Sequence, residues 1–178
     1  MPDADVAILN NAARGLWADL PEGPVTFGRL YDVFPFDNRV VRITLSGAEL
    51  GEWLAGEIRQ GRRGWLGISG IGVRASCLAD GLHVDLLRAS GRIRDDDRLV
   101  AVTIVSPTLS GNLALAVPPA RAGSTENTPV VREVVEDWLR RSRHLARGQL
   151  DAASHRWEDA DAQTVGCVAR NGLGGSPG

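Results

Sequence analysis

Within Phe34-Pro35-Phe36-Asp37-Asn38 an aromatic ring stands two residues ahead of a carboxamide. A flat ring can stack on a planar group such as a base, for about 1–3 kcal/mol. A carboxamide can donate and accept hydrogen bonds at the edge of the same group. Each residue also has a plainer use: Phe36 can fill a core beside Phe34, and Asn38 can shape a turn. Neither use breaks bonds. The residue types that break bonds are not arranged for it. His83, His144 and His155 stand outside any H-x-x-x-H, H-x-E or C-x-x-C setting. Asp95-Asp96-Asp97 lacks the spaced oxygen ligands and terminal Glu of a calcium loop and reads as a solvated turn. There is no G-x-S-x-G elbow, no Cys with a recognisable His partner, and no dinucleotide or Walker phosphate loop.

Composition narrows the classes further. At 178 residues the chain is long enough for one domain with a real core. A net charge of −2 offers no basic field for nucleic acid or an anionic membrane. No window approaches the roughly 18 apolar residues of a membrane span, so the chain reads as soluble. Residues 1–9, MPDADVAIL, have neither the basic nor the long apolar region of a secretory signal. Cys77 and Cys167 are read as two free thiols; a disulfide between them is possible but not legible from spacing.

The elements that must position the ring and the amide can be read in order. Residues 5–9 form a short apolar run expected to be a buried strand. A loop rich in Asn, Gly and Pro follows to Pro24. Thr26 is expected to cap a short helix through Val33, stopped ahead of Pro35. Residues 39–45, RVVRITL, read as a strand. Ser46 and Glu49 make a capping box for a helix to about Arg59, with Leu50, Trp53, Leu54 and Ile58 on one face. Residues 61–64 should break it. Strands are expected over 68–77, 82–87 and 98–105, and a loop over 106–127. Thr128-Pro129 should start a last helix to about Arg147, buried through Val131, Val134, Val135, Trp138 and Leu139. The order predicts an α+β (mixed α/β) fold with helices on a mostly mixed sheet. Residues 1–147 are expected to be the domain, and 148–178 an irregular tail with disordered last residues.

Several of these pieces together resemble a known family. Ala4-Asp5-Val6-Ala7-Ile8-Leu9-Asn10, Gly23-Pro24-Val25-Thr26-Phe27-Gly28, Leu30-Tyr31, Pro35-Phe36-Asp37-Asn38 and Ser46-Gly47-Ala48-Glu49-Leu50 are similar to the 5′-nucleotidase C-terminal domain. That domain belongs to the 5′-nucleotidase, UDP-sugar hydrolase and 2′,3′-cyclic phosphodiesterase family. Residues 64–73 and Asp97-Arg98-Leu99 extend the likeness, which covers roughly 4–145. It implies that Asn10 and an Arg hold the phosphate side of a substrate; the nearest guanidinium is Arg14, which suits bidentate phosphate contacts. Counted back from Phe36 without gaps, Trp17 stands where that Arg belongs. By the same likeness Phe36 stacks on a base and Asn38 approaches its edge. The loop after the last sheet strand differs: Ser106 replaces a second stacking ring, and Asn112 replaces the carboxylate on the ribose hydroxyls.

The resemblance implies a substrate-binding domain of a phosphoester hydrolase of nucleotide catabolism, not hydrolytic by itself. It also implies no cofactor in this chain, because the divalent metals sit on a separate N-terminal metallophosphatase domain. The expected partners are a nucleotide or related phosphorylated small molecule, that metallophosphatase domain, and a second copy in a homodimer. A non-catalytic nucleotide or sugar-phosphate binding module, or a degenerate dimerisation domain, are the alternatives. Relatives are exported, so the compartment is left open.

Overall fold

The computed structural model describes residues 4–10, 17–60, 66–79, 81–105, 128–146, 157–159 and 167. In chain order the elements are β1 (Val6–Asn10), α1 (Phe27–Val33), β2 (Arg39–Ser46), α2 (Gly47–Arg59), β3 (Leu66–Ser69), β4 (Gly72–Leu78), β5 (Gly81–Arg88), β6 (Gly91–Arg92), β7 (Arg98–Val105), α3 (Val131–Ser142) and β8 (Trp157–Asp159). The fold is α+β. One sheet runs β2-β7-β1-β3, with β1 parallel to β7 and the other pairs antiparallel. The other runs β6-β5-β4-β8, antiparallel until β8 joins β4 in parallel.

Helix α2 ties the two sheets together. Its Leu50 and Leu54 are fully buried. They share one apolar cluster with Val6, Ile8, Ile43 and Leu99 of the first sheet and Val73 and Leu86 of the second. Each such leucine, taken out of water, favours the fold by about 2 kcal/mol. The expected stripe is therefore the core face, with Ile58 also buried and Trp53 packed against the cluster. The helix starts where the sequence says it should. Glu49 N–H donates to Ser46 Oγ (3.1 Å), and Ser46 N–H donates back to Glu49 Oε2 (2.8 Å).

The next two free donors of α2 find carbonyls in the acidic turn. Gly47 N–H reaches Asp97 O (2.9 Å) and Ala48 N–H reaches Asp95 O (3.0 Å). Approach this close needs glycine at 47, since a Cβ there would run into the Arg94 carbonyl. The 95–97 turn is thus not merely solvated. Asp97 is 17% exposed, and its Oδ2 accepts from Arg94 N–H (3.1 Å) and Arg88 Nη2 (2.9 Å). The Arg94 N–H bond holds its carboxyl below the ordinary 3.8; partial burial opposes this, and the Arg88 and Arg94 charges assist. A lowered folded value stabilises the fold above the unfolded pKa and is lost as pH falls through the folded one. Asp97→Asn should therefore be less stable than wild type at neutral pH, with the gap closing below about pH 4. Thermal melts across that range check it; a constant gap would sink the assignment.

Elsewhere the structure departs from the expectations. The strand expected over 68–77 is two strands on two sheets, broken at Gly70, whose φ is +96°. Helix α3 begins at Val131 and not after Thr128, because the preceding residues are used by β2: Val40 N–H donates to Pro129 O (2.9 Å), and Val130 bridges Arg39. It ends at Ser142, short of Arg147, with Arg143 at φ 56°. Trp138 is 44% exposed, since the second half of α3 faces the Leu20–Phe27 segment through Glu136, Leu139 and Arg140. Within the stretch expected to be an irregular tail, Trp157–Asp159 forms β8. Cys77 and Cys167 are not free thiols but a disulfide, with Cα atoms 5.5 Å apart. The break at 61–64, the loop 106–127 and the last residues lie outside the described residues. No described helix is long and apolar enough to cross a membrane.

Candidate functional site

The topology of the first sheet places three of the five candidate residues toward one end. β1 and β7 run parallel, so Asn10 and Val105 finish on the same side; β2 runs the other way and starts there, with Arg39 opposite Val105. β3 also starts at that end, with Leu66 opposite Asn10. The segment Trp17–Asn38 leads into it. Of the five residues singled out from sequence, Asn10 is the last residue of β1, and Phe36 and Asn38 precede β2. Arg14 and Asn112 lie outside the described residues.

The Phe36 turn is built by α1 and α3. Thr26 Oγ1 accepts from Arg29 N–H (3.3 Å) and starts α1. Phe34 N–H closes it on Leu30 O (2.9 Å), and Pro35 prevents another turn. Asn38 then turns the chain into β2, its carbonyl accepting from Val131 N–H (2.8 Å) at the start of α3. Its side chain is half-buried and makes no hydrogen bond among the described residues. Phe36 is half-buried and outside the apolar core cluster. Its ring meets that of Trp17 edge to face, with centroids 5.3 Å apart and planes at 83°. Trp17 is 63% exposed, and its N–H donates to Val33 O (3.1 Å).

Arg132 on α3 fastens the turn from outside. One guanidinium nitrogen donates to Phe34 O (2.8 Å), another to Asp37 Oδ1 (2.8 Å), and the guanidinium carbon lies 4.6 Å from the centre of the Tyr31 ring. Its side chain is 11% exposed against 71% for Asp37, so the carbonyl bond and the ring contact matter more than the ion pair. Sequence reasoning did not single out Trp17 as a contact of Phe36, nor Arg132 at all. For Arg132 one signal exists. A cation in the first turn of a helix opposes the macrodipole, so a specific contact must hold it there. Arg132→Ala is expected to cost about 2 kcal/mol in urea unfolding. Lysine should restore only part, because it cannot reproduce the fork. Wild-type stability in the alanine variant would show that the turn does not depend on this residue.

A cleft of about 330 Å³ lies beneath α3, between Val131, Val134 and Val135 and the outer face of the first sheet at Ala7, Leu9, Val40, Val102 and Ile104. Its lining is mostly apolar, with Asp5, Ser69 and Thr103 as its polar residues. Among the described residues no group of three His, Cys, Asp or Glu side chains is placed to hold a metal ion.

The sequence profile described as 5′-nucleotidase, C-terminal domain matches residues 1–98, more than half of the 178. The chain belongs to that family. No curated protein sequence matches it. Among solved structures this 5′-nucleotidase C-terminal domain is similar to the NAD nucleotidase of Haemophilus influenzae, at 20% identity and a TM-score of 0.62. The match covers 89% of this chain and 30% of that one. The 5′-nucleotidase precursor of Thermus thermophilus gives 20% identity and a TM-score of 0.57, covering 88% and 31%. The sulfate thiohydrolase SoxB of the same organism, in complex with glycerol, gives 14% and 0.59, covering 89% and 29%. Identities this low establish the shared fold. The chain spans about three tenths of the length of these structures.

Proposed function

We propose that this chain is the substrate-binding part of a 5′-nucleotidase-like phosphoester hydrolase and that it does not hydrolyse phosphoesters by itself. The observation that carries the reading is the family match over residues 1–98, the stretch that holds Asn10, Phe36 and Asn38. β1 and β7 end on the side where β2 begins, which puts Asn10 and the Phe36–Asn38 segment at one end of the sheet. In this reading Phe36 stacks on the ligand's flat group, Asn38 addresses its edge, and Asn10 and Arg14 hold the phosphate side. Asn112 contacts the sugar more weakly than a carboxylate does. Divalent metals and the attacking water belong to a metallophosphatase domain outside this chain.

Two measurements on the pure chain test this. Incubation with manganese or zinc and a panel of nucleotides should release no phosphate, and metal-dependent turnover would sink the division of labour. Calorimetry with nucleoside mono- and diphosphates should give heat, weakened about tenfold by Phe36→Ala. A folded sample silent at millimolar ligand leaves the chain as a structural unit of its family.

A further inference from the structure

We infer that the Cys77–Cys167 bond is a redox latch over an interaction surface: reduction by a dithiol frees β8 from β4, and the bared edge of β4 then pairs with β4 of a second copy of this chain. β4 is covered unequally on its two sides. β5 pairs with it over all seven residues, from Gly72 opposite Leu87 to Leu78 opposite Gly81. β8 pairs with it in parallel over Val73, Arg74 and Ala75. So short a parallel pairing holds weakly, and the bond from Cys77 to Cys167 is what keeps β8 seated.

The bond can be reached through Cys77, which is half-buried, whereas Cys167 is 3% exposed. One thiolate of the dithiol attacks Cys77 Sγ. Cys167 leaves with the electron pair of the S–S bond and takes up a proton. The second thiol of the reagent then attacks the mixed disulfide, Cys77 leaves as the other protein thiol, and the dithiol ends as a disulfide. Two electrons and two protons pass to the protein.

The edge laid bare suits a second copy. Edge strands avoid mutual pairing through charges, proline or bulges. Gly72–Leu78, GVRASCL, has no proline and one charge, Arg74, and runs against β5 without a bulge. A two-fold axis at Ala75 sets two copies antiparallel, with Ala75 opposite Ala75, Arg74 opposite Ser76 and Gly72 opposite Leu78. That register opposes no like charges and keeps each side chain on its own face of the sheet. It also matches shapes. Leu78 is 53% exposed, and Gly72 leaves a gap beside Leu87, whose Cβ lies 3.6 Å from where a Cβ on Gly72 would stand. The contact is isologous and closes at two copies.

The test is light scattering on the full chain, oxidised and after treatment with dithiothreitol. Oxidised protein should show the mass of one chain, and reduced protein twice that mass, falling back on dilution. Cys77→Ser combined with Cys167→Ser should behave as the reduced form without any reagent. Two further variants test the register in reduced protein. Ser76→Arg sets Arg against Arg on both sides of the axis and should weaken association about tenfold. Ser76→Asp faces Arg74 and should keep the dimer. Reduced protein that stays a single chain overturns the inference, and so does a dimer equally strong in oxidised protein. A dimer indifferent to Ser76→Arg shows that the copies do not meet along β4. Exchange mass spectrometry on the reduced protein should find the β2-β7-β1-β3 sheet still protected. If reduction unfolds that sheet, the bond is a brace and not a latch.

Discussion

Replacing Cys77 and Cys167 together by serine is expected to lower the unfolding free energy by about 3–4.5 kcal/mol. The bond joins residues 90 apart in sequence. Opening so long a loop returns the closure entropy to the unfolded chain, which for about a hundred residues approaches 4.7 kcal/mol. The native side adds to the effect. β8 is three residues long and pairs with β4 in parallel over Val73, Arg74 and Ala75. A pairing this short has little strength of its own. Cys167, 3% exposed, lies a few residues further on and bonds to Cys77 on β4. Without the bond, amide exchange at 157–159 should approach the unfolded rate while the β2-β7-β1-β3 sheet keeps its protection. Urea unfolding of oxidised wild type, reduced wild type and the double variant measures the first effect; exchange mass spectrometry measures the second. Equal midpoints for all three samples would show that the bond does not form.

Gly70→Ala should destabilise by about 3 kcal/mol or more. Two costs combine at this position. A φ of +96° is strained for any residue with a Cβ. The Cβ would also strike the Asp5 carbonyl. Asp5 cannot retreat, because its N–H donates to Val100 O (2.8 Å) and its Oδ2 accepts from Val100 N–H (2.7 Å). Gly91 provides the control. Its φ is +124°, yet a Cβ there would meet nothing within 4 Å, so Gly91→Ala should show the dihedral strain alone, about 1 kcal/mol. Chemical unfolding of the two variants side by side separates collision from strain. If they lose equal stability, the contact with Asp5 is not the reason for glycine at 70.

Gly70 also shows how far local sequence signals reach. Local signals translated well: Thr26 caps α1, the Ser46–Glu49 box starts α2, and the apolar faces of β1, β2 and β7 follow from their alternation. The break between β3 and β4 was written in the same alternation. Leu66 and Ile68 are buried, then Ile71, Val73 and Ala75, so the period of two slips by one residue across Ser69-Gly70. Read as a single strand, that slip would turn half its apolar side chains outward. The disulfide had no such trace, because loop spacing does not encode pairing. Nor did β8, whose three residues owe their state to β4 and not to local propensity. At the candidate site the ring and the amide of Phe36 and Asn38 could be located, since a helix stop and a strand start bracket them. The perpendicular contact with Trp17 and the Arg132 clasp join residues far apart in the chain, and no local pattern announces them.

The bond between Cys77 and Cys167 has a consequence for connectivity. It closes the chain from 77 to 167 into a covalent ring that contains β5, β6, β7, α3 and β8. β7 lies inside the first sheet, between β2 and β1, which sit on the open arm before residue 77. A protease that cuts one peptide bond anywhere inside the ring converts it to a branched chain without releasing a fragment. Under denaturing but non-reducing conditions, such a nicked molecule keeps its full mass, and only a reductant separates its pieces.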